Sequence, residues 1–458
     1  MSGSIRKLPL SAPQLDFWEA AQAYAVPSTN IYAAEYLDIR GPLDQQRFER
    51  ALRQVIDEAE TLHTVRFAEA VDGPVRIVDD TVGANWALLY RDLSGVHDAH
   101  SQALAQMRDH YSRTIELEHG PFFAYILFKL DDNRYYWYQG YAHIVVDGYS
   151  CSLLATRVAE VYSALYAGVP TPPCRFAPLE ALMEDERSYR DSAQYTEDRR
   201  YWLSRFADHP RTTTLAGPAL LPERDSLPDM RETRYAQPGQ HARIETVAKD
   251  LFKSTVPQLI TALTAAYIHL QTGAHDVVLA VTAMARASSR ERRTPCETAN
   301  MLPLRLSVEP SNTLDELCRQ ANQEMTALRR HQRYRMGDLH RELVSLDNGQ
   351  GVFGTEINIM SFDYDLAFAT SRATSHNLAV GITDDFMVNL TDRRNGEPLR
   401  FDFDASPQYY RRADLNAHVT RFLALAQAAL DAPEAPLREL DARLEAQPDW
   451  RPALAPAV

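Results

Sequence analysis

A histidine followed four residues later by an aspartate and then a glycine, His143-x-x-x-Asp147-Gly148, is the arrangement in this chain best suited to moving a proton. Histidine is the side chain whose ordinary pKa lies nearest neutrality. At the end of a β run its ring is held by the sheet and can reach a cleft, which is what a general base requires. Asp147 could orient the ring or anchor the loop through an arginine, and Gly148 would allow the chain a turn with φ > 0. The same spacing also fits a histidine packed against an aromatic sheet. Competing chemistries lack their motifs: there is no G-x-x-x-x-G-K-[ST], no G-x-G-x-x-G, no H-E-x-x-H and no G-x-S-x-G, so ATP use, dinucleotide cofactors, zinc hydrolysis and a serine elbow lose support. Asp225-Ser226-Leu227 would suit phosphopantetheine attachment but lies in a proline-flanked segment without a carrier-type helical context.

The elements that must position the histidine follow from periodicity. Phe122 to Leu130 and Arg134 to Val146 read as two strands joined by the turn residues Asp131-Asp132-Asn133, and the aromatic second strand delivers the chain to His143. Leu154, Val158, Val161 and Leu165 then form a helical stripe closed by Gly168. An earlier helix is expected from about Asp44 to Ala59, with Phe48, Leu52 and Val55 at helical spacing. The stiff segment Val169-Pro170-Thr171-Pro172-Pro173-Cys174 places a boundary near residue 175, dividing the chain into 1–175 and 176–458. In the second part, Ser254 to Thr272 reads as a helix ended by Gly273, Asp276 to Thr282 as a buried strand, Leu399 to Asp404 as another strand, and Leu415, Val419, Phe422 and Leu430 as a late helix. The tail from Asp441 is expected to be loosely held. The fold class is mixed α/β in two lobes.

Composition bounds the function. The 458 residues carry 62 acidic and 48 basic side chains, a net charge of -14, which argues against nucleic acid and anionic membrane as partners. The four cysteines, Cys151, Cys174, Cys296 and Cys318, form no C-x-x-C pair and imply neither a metal site nor a disulfide framework. With no apolar signal region and no stretch long enough to span a bilayer, the chain reads as cytoplasmic.

Around the histidine, Tyr141-Ala142-His143-Ile144-Val145-Val146-Asp147-Gly148-Tyr149-Ser150 resembles the H-H-x-x-x-D-G core of the condensation domains of nonribosomal peptide synthetases, with Ala142 in place of the first His. Leu10-Ser11-Ala12-Pro13-Gln14-Leu15-Asp16-Phe17-Trp18 resembles the family's S-x-A-Q-x-x-x-W, with Pro13 for Ala. Glu60-Thr61-Leu62-His63-Thr64-Val65-Arg66-Phe67 resembles E-x-L-R-T-x-F, with His63 for Arg and one extra residue. Ala285-Arg286 stands where the family has Gly-Arg, and Asn300-Met301-Leu302-Pro303-Leu304-Arg305 resembles V-N-x-L-P-L-R. Asn358-Ile359-Met360-Ser361-Phe362-Asp363-Tyr364 is similar to a stretch of enterobactin-synthase-type condensation domains. The matches run over nearly the whole chain.

The resemblance implies two chloramphenicol-acetyltransferase-like lobes arranged as a V around a tunnel. It makes His143 the catalytic residue, as general base or as stabiliser of the tetrahedral intermediate. Asp147, Gly148 and Arg286 become structural, through a buried Asp147–Arg286 ion pair, and Asn358, Ser150 and Tyr149 are expected to face the tunnel and position substrate. The implied reaction transfers an acyl or peptidyl group from the phosphopantetheine thioester of a carrier protein to an amine or alcohol, with no bound cofactor and no metal. The acceptor is carrier-bound or a soluble small molecule, the latter giving chain release. A free-standing monomeric enzyme is expected, with the arginine-rich stretches Arg286 to Arg293 and Arg329 to Arg335 as candidate carrier-docking surfaces or solvated helix faces. Alternatives are an acyl-CoA-dependent acyltransferase and a catalytically silent recruiting module; heterocyclisation lacks its D-x-x-x-x-D.

Overall fold

The computed structural model describes residues 5–23, 32–216, 230–344, 354–361, 364, 366–381, 383–393, 398–446 and 455–456. The tripeptide 225–227 lies outside the described residues. The chain forms two compact units, each with its own sheet. The first takes Met1–Ser192, Arg286–Ala299 and Tyr364–Ile382, and the second Ala193–Ala285, Asn300–Asp363 and Thr383–Val458. This differs from a single boundary at residue 175. The helix Leu179–Arg190 stays with the first unit, and two later segments return to it. One of them supplies the strand Ser371–Val380, hydrogen-bonded antiparallel to Tyr32–Arg40, a pairing that no local pattern reveals.

In the first unit the sheet order is Leu366–Phe368, Ser371–Val380, Tyr32–Arg40, Arg134–Ala142, Phe123–Asp131, Leu89–Asp92, antiparallel except for the last pair. A smaller sheet joins Ile5–Pro9, Val75–Asp79 and Thr64–Ala68. The aromatic strand is explained by coverage of both its faces. Tyr135, Trp137 and Tyr141 pack into one core with Phe48 and Leu154, from the helices Gln45–Glu58 and Gly148–Ala167. Tyr136 and Tyr138 pack into another with Ala103 and Met107 of the helix Ala99–Tyr111. The hairpin turn is closed as expected, the Asn133 amide donating to the Asp131 carboxylate at 2.7 Å.

The strand ends at Ala142, four residues earlier than its apolar run implies. The Val145 amide donates to the Ala142 carbonyl at 2.9 Å, so Ile144, Val145 and Val146 are buried in a turn rather than in the sheet. The helix after it runs Gly148–Ala167, capped by Asp147 and ended by Gly168 at φ +67°.

The second unit carries the sheet Asn300–Ser307, Asp276–Ala283, Glu356–Ser361, Phe386–Asp392, Arg400–Ala405, Met230–Tyr235, Ala455–Pro456. The strand Glu356–Ser361 is parallel to both neighbours. The helices Val256–Thr272, Leu314–Arg330 and Arg412–Asp431 contribute to its core. The first two begin with capping boxes, Thr255 with Gln258 and Thr313 with Glu316. Asp441 lies within a helix, Leu437–Glu445, held by buried Leu437 and Leu440, so the tail is ordered further than expected. No helix among the described residues is long and apolar enough to cross a membrane.

Candidate active site

His143 is the first residue beyond the strand Arg134–Ala142, and backbone contacts fix the turn that carries it. The Gln14 side chain donates to the Ile144 carbonyl at 3.1 Å and the Thr61 hydroxyl to the Val145 carbonyl at 2.9 Å. The two N-terminal motifs thus serve the same turn, 130 and 84 residues away. Ala142 is buried in the aromatic core, its amide donating to the Phe122 carbonyl at 2.8 Å.

Three neighbours define the imidazole. Phe17 stacks on its face, with centroids 5.2 Å apart and planes 21° from parallel. Nδ1 lies 2.7 Å from the carboxylate of Glu297, which is completely buried while the histidine side chain keeps 13% exposure. Along the remaining edge runs Gly381 at φ +98°, where a Cβ would stand 3.3 Å from Cδ2 and 3.8 Å from Nε2. That approach requires glycine, both for the backbone angle and for the space it leaves at Nε2. Burial by itself would depress the imidazole pKa, but the charge and hydrogen bond of Glu297, helped by Asp147, lift it above the ordinary histidine value.

Glu297 is delivered by a polar clamp. The Arg286 guanidinium is buried and its Nη2 reaches both Asp147 oxygens at 3.1 and 2.9 Å, the Ser150 hydroxyl at 2.8 Å and the Cys296 carbonyl at 2.9 Å. Its Nη1 donates to the carbonyls of Glu291 and Thr294. Asp147 also accepts from the Ser150 amide at 2.7 Å and from both the amide and hydroxyl of Thr298, at 3.1 and 3.0 Å. Ser150 donates to the Cys296 carbonyl at 2.7 Å and accepts from the Cys296 amide at 2.9 Å. Segment 286–299 is therefore tied to the turn after His143 on either side of Glu297. Burial would raise the Asp147 pKa, yet the Arg286 charge and the donors around it bring it below the usual carboxylate value.

The expected site residues separate in this geometry. His143, Asp147, Arg286 and Ser150 come together; Ser150 is fully buried within the clamp, so its hydroxyl is committed to Arg286 and Cys296 rather than to substrate. Gly148 is the first helical residue and lacks the positive φ expected of it, because Asp147 caps the helix directly before it. Tyr149 covers the clamp, with Arg286 over its ring at 5.0 Å and its hydroxyl donating to the Arg292 carbonyl at 3.4 Å. Asn358 stands half-buried in the second unit, on Glu356–Ser361, in register with Asn389. Of the arginine-rich stretches, Arg286 is internal and Arg290 faces Asp185 at 3.5 Å, whereas Arg329 and Arg330 are exposed at the end of their helix. Sequence reasoning missed Glu297, Thr298, Phe17 and Gly381. Phe17 and Gln14 lay inside a recognised motif; Glu297, 154 residues from its partner, gave no local signal.

A family model described as the condensation domain matches residues 4–448. The "Dimodular nonribosomal peptide synthase" of Bacillus subtilis is 38% identical over 92% of this chain and 17% of its own length. The "Isonitrile lipopeptide synthase" of Streptomyces coeruleorubidus is 38% identical over 95% of this chain and 29% of its own. The chain thus spans less than a third of the length of these curated relatives. A crystal structure of a mutant starter condensation domain of rhizomide synthetase, in complex with C8-CoA and Leu-SNAC, is 36% identical with a TM-score of 0.86, covering 94% of this chain and 96% of that one.

Proposed function

The chain belongs to the condensation-domain family of nonribosomal peptide synthetases, and from that premise we propose that His143 drives the transfer of an acyl group from a carrier-protein thioester to an amine. Condensation domains are acyltransferases that form amide bonds, and this chain is one. The observation that carries the role of His143 is the setting of the ring: Nδ1 is engaged, Phe17 fixes the plane, and the Nε2 edge is bordered by a residue without a side chain.

The step follows from those atoms. The amine lone pair attacks the thioester carbonyl carbon while Nε2 accepts the amine proton; the C–S bond then breaks and the departing thiolate takes that proton from the imidazolium. Aminolysis of a thioester runs downhill, so no ATP is consumed. A covalent acyl-enzyme is disfavoured by the neighbours of His143: burial pushes the Cys296 thiol up to about 12, and the Ser150 hydroxyl is enclosed in the clamp. Direct transfer needs alignment of two tethered reactants, worth several orders of magnitude, and a positioned base, worth about 10²–10⁴-fold.

The likeness to a starter condensation domain captured with C8-CoA and Leu-SNAC, and to a lipopeptide synthase, supports a fatty acyl donor and an aminoacyl thioester acceptor. The same likeness favours a second reading, direct use of acyl-CoA. One experiment separates them: an octanoyl-loaded carrier protein, or octanoyl-CoA, is incubated with the protein and Leu-SNAC, and products are read by mass. Carrier deacylation with appearance of octanoyl-Leu-SNAC, faster than from octanoyl-CoA at equal concentration, is expected. Faster transfer from CoA would establish the second reading, and no transfer from either donor would overturn both.

A further inference from the structure

The carboxylate of Glu297 is fully buried, 2.7 Å from Nδ1 of a partly exposed imidazole, in a segment held by Arg286, Ser150 and Thr298. An ionised carboxylate only accepts hydrogen bonds, so in this pair the imidazole proton sits on Nδ1 and the lone pair on Nε2. We propose that Glu297 is a positioning residue for acyl transfer, holding His143 in the Nδ1–H tautomer with Nε2 as the base and stabilising the imidazolium formed when the amine proton arrives. The inference rests on His143 acting as the base.

It also gives the Asp147–Arg286 pair a second task. Asp147 accepts from Thr298 next to Glu297, and Arg286 and Ser150 hold Cys296 on its other side, so the clamp sets where the Glu297 carboxylate stands. The charged groups facing the ring are Glu297 against Nδ1 and Asp147 from its own loop, the latter already paired with Arg286. The helix Ala12–Ala23 presents Phe17 to it and the Ser371–Val380 segment presents Gly381, neither of which titrates. Against the burial that depresses the imidazole pKa, Glu297 is the foremost of the groups that raise it, ahead of Asp147 and the histidine's own backbone.

The test is the pH dependence of octanoyl transfer to Leu-SNAC by wild type, Glu297→Gln, Glu297→Asp and His143→Ala. Transfer requires neutral Nε2, so the wild-type rate rises with pH through an ionisation above the ordinary histidine value. Glu297→Gln, nearly isosteric, should move this acid limb to lower pH and reduce the plateau kcat by about 10–10²-fold, part of what a positioned base supplies, with KM for either substrate unchanged. Glu297→Asp, which keeps the charge, should return the acid limb toward wild type. A plateau and acid limb identical to wild type in Glu297→Gln, with His143→Ala inactive, would overturn the inference and leave the base reading standing. An active His143→Ala would remove both. Independently of any variant's folding, the imidazole ¹⁵N shifts of wild type above the acid limb should show protonated Nδ1 and bare Nε2 at His143; the opposite tautomer contradicts the proposal.

Discussion

Around His143, the buried groups Asp147, Arg286, Ser150 and Thr298 end on one carboxylate, and that carboxylate ends on a ring with an accessible edge. The sheet of the second unit carries a comparable polar set, with Asn389, Asp402 and Asp404 buried and Asn358 and Thr233 half-buried. Asn358, Asn389, Asp402 and Thr233 stand in register across four strands. Arg400 reaches Asp402 at 2.9 Å, Arg231 reaches Asp404 at 2.7 Å and Asn389 donates to Asp404 at 2.6 Å. Burial pushes Asp404 above the usual carboxylate value, whereas at Asp402 the charges of Arg400 and Arg231 outweigh burial and bring it below. In this sheet each buried carboxylate faces an arginine, Asp402 with Arg400 and Asp404 with Arg231. Burial and ion pairing alone therefore do not mark an active site.

Substitutions in the two regions should accordingly differ in what they change. The largest effect is expected from Asp147→Ala, which leaves a fully buried guanidinium without its carboxylate: about 3–5 kcal/mol of stability by denaturant unfolding, with transfer lost as the Glu297 segment loosens. Asp404→Ala should cost less, about 1–3 kcal/mol, because the Arg231 side chain retains 17% exposure and can recruit water, and it should leave kcat as it was. A loss of kcat at constant fold in Asp404→Ala would erase the distinction. Gly381→Ala should lose about 1–2 kcal/mol to the φ of +98° and also lower kcat, since its methyl group would stand beside Nε2 where the acceptor nitrogen must approach. The smallest change belongs to Asn358→Ala, where a half-buried amide is lost: less than about 1 kcal/mol, with a raised acceptor KM and unchanged kcat if it holds substrate.

Much of the first unit was legible because its signals are local. Asp131-Asp132-Asn133 marked a hairpin turn, Gly168 a helix end, and the stripe from Leu154 to Leu165 a helix, and all three stand where expected. The strand leading to His143 was read too long because Ile144, Val145 and Val146 are β-branched or apolar for packing reasons that operate equally in a buried turn. The Asp147–Arg286 pair, 139 residues apart, was reached only through resemblance, which carried the arginine's position with it. Glu297 had no such aid, and its role depends on a return of the chain to the first unit that periodicity does not encode.

The most direct test of the central claim is the single-turnover rate of octanoyl transfer from a carrier protein to Leu-SNAC by His143→Ala, with its thermal unfolding recorded beside wild type. The rate should fall about 10²–10⁴-fold with the cooperative unfolding transition retained. A folded His143→Ala that transfers the acyl group at the wild-type rate would contradict that claim.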